Sequence, residues 1–114
     1  MTPQFPSPPT RHRAFYEHFQ KRFTERVGPG DPLEHWWRII VSVEKEQHHV
    51  IAFMGRLNRT GRRLWRYHLP DGRIFLVVFD HKADAPVTIL TNDRAQRCGS
   101  KGQRVVIDGV PYDF

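Results

Sequence analysis

The chain has 114 residues and 18 Lys and Arg against 12 Asp and Glu, a formal net charge of +6. One hydrophobic core fits that length and two do not. No apolar run approaches the ~20 residues of a bilayer span, which excludes a membrane-spanning helix.

The basic balance is carried by 14 arginines and 4 lysines. Guanidinium forks fit phosphate oxygens, and each such contact releases condensed counterions, so a polyanionic partner is expected. The lone cysteine, Cys98, cannot close an internal disulfide, which fits a reducing, cytoplasmic setting.

Residues 1–10, MTPQFPSPPT, hold four prolines and lack a charged segment leading into an apolar one. They read as a flexible proline-rich leader and not as a signal peptide. A single domain is expected over 11–92, with a tail over 93–114.

Arg11 to Val27 carries Phe15, Phe19 and Phe23 at helical spacing and stops at Gly28-Pro29-Gly30, a strong helix breaker. Beside the phenylalanines, His18, Arg22 and Arg26 form a second stripe that overlaps the edge of the buried face. A histidine at such a border has a tunable pKa, and an arginine there can hold an anion. The plainer account is that His18 lies at the core margin and the arginines snorkel over the aromatics toward acids such as Glu25.

Asp31-Pro32-Leu33-Glu34 then offers an N-cap, a proline at the first helical position and a capping-box acid. It predicts a second helix over 32–45, with Leu33, Trp36, Trp37, Ile40, Val41 and Val43 on one broad apolar face. From His48 the period changes to that of strands. HHVIAFMGR, RLWRYHL, RIFLVVFD and VTILT read as four strands, the middle two joined by a Pro70-Asp71-Gly72 turn. Alternation puts Trp65, Tyr67 and Leu69 on one side of the second strand and Leu64, Arg66 and His68 on the other. The expected fold is α+β, two N-terminal helices packed on a four-stranded antiparallel sheet. Val105 to Ile107 offers a fifth, edge strand.

Arg56, Arg59, Arg62, Arg63 and Arg66 fall within eleven residues, interleaved with Trp65 and Tyr67. Arginine with aromatic platforms is the combination that binds single-stranded nucleic acid. The strand alternation favours a mixture, in which Arg62 and Arg66 serve binding while Trp65 and Tyr67 fill the core. His48-His49 beside Glu44 and Glu46 does not make a metal site, because adjacent strand residues face opposite ways and no spaced third ligand follows. No P-loop, GxGxxG, HExxH or GxSxG is present, and no cofactor is expected.

The helix HFQKRFTERVG, with its H-x3-R-F-x2-R pattern, the strands RLWRYHLPDGRIFLVVFDHKADAPVTILT and the helix between them together resemble the small toxin-type ribonuclease fold. That fold is shared by RelE-like mRNA interferases, colicin-type tRNase domains and related phage-borne domains, and the resemblance spans Ala14 to Thr91. It implies metal-independent RNA cleavage in which the ribose 2′-hydroxyl attacks the adjacent phosphate. His18 would then be general acid or base, and Arg22 and Arg66 would hold the phosphate. His68 or Tyr67 would provide the second proton group, and Thr88 or Thr91 would hydrogen-bond a nonbridging oxygen. Arg26, Arg56, Arg59, Arg62 and Arg63 would bind the rest of the RNA, and an acidic antitoxin or immunity protein would cover the basic face. The chain departs from the RelE-like pattern, which often lacks a catalytic histidine and is rich in lysine. The other reading is a noncatalytic regulatory protein, binding a host protein or nucleic acid through the basic face or the Trp-rich helix. Burial of Leu33, Trp36 and Trp37 separates the two, since exposed they would mark an interaction surface.

Overall fold

In the computed structural model, residues 5–57 and 60–91 are described with their side chains, and 95–98, 104–107 and 110–113 as strand backbone. A 3-10 turn, Thr10–His12, leads into helix α1, Arg13–Arg26, and helix α2 follows over Pro32–Glu44. Strands β1, Ile51–Arg56, β2, Arg62–His68, β3, Ile74–Asp80, and β4, Ala85–Thr91, form an antiparallel sheet in the order β1-β2-β3-β4.

Local chemistry sets these boundaries. α1 ends where Gly28 takes φ +95° and its N–H bonds back to Phe23 O, a left-handed stop that a side chain would resist. Asp31 caps α2 as its carboxylate accepts from the Leu33 N–H at 3.0 Å, with Pro32 in the first turn where no N–H is needed. Gly72, at φ +93°, closes the β2–β3 hairpin, in which Leu69 and Arg73 pair by their backbones.

Both helices cover one side of the sheet. Phe19 and Phe23 of α1 and Trp36 and Ile39 of α2 pack with Ile51, Tyr67, Phe75, Val77, Phe79 and Ile89. On the other side Leu57, Leu64, Leu76, Val78 and Leu90 form a second buried cluster, with Met54 and Val87 against it. β3 therefore buries both faces, as its unbroken apolar run predicts.

Trp36 is fully buried, and Leu33 and Trp37 are half-buried. The tryptophan pair thus serves packing more than display. Residues 5–9, read from their prolines as part of a flexible leader, lie against α2, where the Trp37 indole donates to Pro6 O at 2.7 Å. Proline-restricted backbone loses little entropy on docking, so one such bond can hold it. Val105 to Ile107 falls in β6, Arg104–Ile107, which does not join the four-stranded sheet as a fifth strand. It pairs between β5, Ala95–Cys98, and β7, Val110–Asp113, in a separate three-stranded sheet. No helix among the described residues is long and apolar enough to cross a membrane.

Candidate nucleic-acid interface

The residues expected to surround one phosphate are divided by the sheet. α1 lies on the side of Tyr67, whereas Arg66 sits between Trp65 and Tyr67 and opposite Ala52 and Leu76, which turns it to the side of buried Leu64. His68 and Thr88 share Arg66's side by the same register, while Tyr67 and Thr91 face the helices. A pocket built from His18, Arg22 and Arg66 is therefore not formed. A full layer of backbone stands between them.

On α1 itself, Arg22 makes the contact with Glu25 that the plainer account expects. His18 is exposed, and Arg22 donates to Glu25 at 2.8 Å one helical turn on. Arg26 Nη1 donates to Ile89 O at 2.8 Å, fastening α1 to β4. Burial, then the cations Arg22, Arg26 and Lys21, lower the His18 pKa.

The hairpin arginines also separate by role. Arg62 Nε pairs with Asp80 at 2.9 Å, and its guanidinium lies 5.8 Å from the Phe15 ring centroid. Asp80 further accepts from the Lys82 and Ala83 N–H groups, so Arg62 helps to fix the β3–β4 turn. Burial alone would raise the Asp80 pKa, but those two N–H bonds and Arg62 outweigh it and hold the carboxyl low. Arg62 is thus structural where the alternation favoured a binding role. Arg59 lies outside the described residues.

A different group comes together on the helix side, beyond the helices' cover. Phe53 stands opposite Trp65, with ring centroids 5.3 Å apart at 71°. Trp65 stacks on His81 at 5.8 Å and 28° and donates its indole N–H to His81 Nε2 at 3.3 Å. His81 in turn leans on Phe79 at 4.8 Å. Phe53 is 53% exposed although it points to the face that elsewhere forms the core. Next along the same face, Arg56 and Arg63 stand directly opposite each other. Like charges so placed destabilise a strand pair, a cost that the bond from Arg63 Nη1 to Arg62 O at 3.2 Å offsets only in part. The register shift between Phe53 and Gly55 makes this possible, because a bulge re-aims the residues on either side of it. Burial, then Arg63, lowers the His81 pKa against the pull of Asp84 and Asp80.

Sequence reasoning missed Phe53 and His81, and it assigned Trp65 wholly to the core, which it only partly joins. It also missed the partners of Tyr67. The Tyr67 hydroxyl lies 2.6 Å from His35 Nδ1 and accepts from Arg38 Nη1 at 3.0 Å, while Arg38 also donates to His68 O at 2.9 Å. With Arg38 donating to the oxygen, the hydroxyl proton is free to go to a neutral His35. Tyr67 is a fully buried clasp between α2 and β2, not a solvent-facing proton donor. Burial raises its pKa and lowers that of His35.

A histidine whose folded-state pKa lies below its ordinary value, about 6.5, binds its proton more readily in the unfolded chain. Its contribution to stability is complete above that pH and is lost as pH falls through the folded-state value. His18, His35 and His81 all shift this way. The urea midpoint is therefore expected to fall between pH 7.5 and 5.5. His35→Asn, which keeps an acceptor for the Tyr67 hydroxyl, should flatten that fall, and an unchanged slope would count against the His35–Tyr67 bond as its source.

Among the described residues no group of three His, Cys, Asp or Glu is placed to hold a metal ion. A hollow of about 230 Å³ between residues 7–8 and α1 is lined by Arg13, Tyr16, Glu17 and Gln20, and it brings no set of reactive groups together. Comparison with protein-family models, curated proteins and solved structures finds no significant match, so function rests on the geometry.

Proposed function

We propose that the protein binds single-stranded nucleic acid, RNA or DNA alike, on the Phe53–Trp65–His81 array, with Arg56 and Arg63 on the phosphates. The observation that carries this reading is the exposure of Phe53, an aromatic ring left open to solvent beside Trp65 and next to two facing arginines. Bases stack on aromatic faces whatever their sequence, and each such platform contributes ~1–3 kcal/mol. Cations along the strand set the register of the backbone and make binding salt-dependent.

The ribonuclease that the resemblance implies needs an acid, a base and cations around one phosphate. His18 and Arg22 on one side of the sheet and Arg66 and His68 on the other do not supply that set together. Binding without cleavage is therefore the reading the geometry supports.

The test is incubation of the purified protein with a labelled, unstructured oligouridine in EDTA, followed by anisotropy and by mapping of ends. Saturable binding with intact RNA is expected. The DNA counterpart should bind comparably, because neither stacking nor phosphate contact reads the 2′-hydroxyl. New ends bearing 2′,3′-cyclic phosphate would restore the ribonuclease reading, and absence of binding would remove both.

A further inference from the structure

The Trp65 indole N–H can only donate, so its 3.3 Å contact makes His81 Nε2 the acceptor. In this arrangement the imidazole is neutral, with its proton on Nδ1. The same ring stacks on Trp65 and leans on Phe79, so one side chain orients the indole by a hydrogen bond and by contact.

We propose that His81 is a pH-sensitive support of the nucleic-acid platform: a proton taken up at Nε2 sets two N–H groups against each other, frees the Trp65 indole from its fixed orientation and weakens single-strand binding. This rests on the single-strand reading above. A platform held in its bound orientation before the ligand arrives loses less entropy on binding, and that advantage is what protonation removes.

The groups that face His81 set where this happens. Arg63 on β2 opposes the imidazolium, whereas Asp84 and Asp80 favour it. Asp80 is already engaged by Arg62 and by the Lys82 and Ala83 N–H groups. Lys82 follows in the chain, with its side chain over Gly61. From the 3-10 turn, His12 Nε2 meets Ala83 O at 2.6 Å and holds the turn in place. Burial and Arg63 push the transition below the ordinary histidine range. One effect runs the other way, since an imidazolium stacked on an indole gains a cation–π attraction that does not need the hydrogen bond.

Wild type and His81→Gln separate these outcomes, because the glutamine oxygen accepts from the indole at every pH. In the free protein, the Trp65 indole N–H resonance should titrate below pH ~6.5 in wild type and stay fixed in the variant. For a labelled oligouridine at constant salt, the variant should bind more weakly than wild type at pH 7.5, because it lacks the imidazole ring of the platform, and the ratio of the two Kd values at that pH is the reference. At pH 5.5 that ratio should move about fivefold in the variant's favour, the worth of one hydrogen bond. The comparison removes the general gain that protonation of other histidines gives a basic protein. A resonance that does not titrate, or a ratio of Kd values that stays flat with binding intact, overturns the pH support and leaves the platform standing. No oligouridine binding by either protein at either pH overturns the platform and this proposal with it.

Discussion

Replacing Trp36 with alanine is expected to lower stability by about 3–5 kcal/mol, a large share of the 5–15 kcal/mol that a domain of this kind commands. Trp36 is fully buried and meets Tyr16 at 5.2 Å, Phe19 at 5.6 Å and His12 at 6.2 Å, all edge-on. It therefore joins the 3-10 turn, α1 and α2 around one ring. Its removal leaves a cavity that three rigid aromatic neighbours cannot close by small movements, and the cavity adds to the lost burial. The indole N–H has no partner among the described residues, so it contributes little beyond its shape. Trp36→Phe should accordingly cost well under half as much as Trp36→Ala. Urea denaturation of the two variants against wild type checks this. A loss within about 1 kcal/mol for the alanine variant would show that the helices do not depend on this contact.

The helices and the hairpin were legible because their signals are local. Gly28-Pro29-Gly30 stops α1, Asp31 and Pro32 start α2, and Pro70-Asp71-Gly72 turns β2 into β3, each through backbone chemistry confined to a few residues. The placement of Arg66 was legible too, but only when two patterns are combined. A helix carrying Phe19 and Phe23 must cover the apolar side of β2, where Tyr67 and Leu69 lie, so the alternating Arg66 has to point away from that helix. Composition drew His18, Arg22 and Arg66 together, and topology sets them apart.

Other features leave little or no local mark. The bulge after Phe53 depends on how β1 pairs with β2, and Gly55 inside the strand hints at it without saying which residue loses its partner. His81 follows an ordinary strand end and gains its role from Trp65, sixteen positions away in the chain. The Arg62–Asp80 pair spans two strands in the same way, which is why Arg62 looked free for binding. Tyr67 looked like a proton donor for the same reason, since its partners His35 and Arg38 sit on a helix some thirty residues earlier.

Phe53→Ala is expected to weaken single-strand binding by 1–3 kcal/mol, about five- to 150-fold in Kd. Phe53 is 53% exposed, so its loss should barely touch folding, whereas Trp65 also packs against the core and its truncation would mix the two effects. Arg66 supplies the control: it is exposed and basic, but it lies across the sheet from Phe53. An exposed cation on the far side adds only a screened, general attraction. The most direct measurement is the anisotropy titration of a labelled oligouridine with wild type, Phe53→Ala and Arg66→Ala at one salt concentration. The platform predicts a loss of at least fivefold for Phe53→Ala and a change within about twofold for Arg66→Ala. A large loss for Arg66→Ala with binding unchanged in Phe53→Ala would place the nucleic acid on the opposite face and contradict the account.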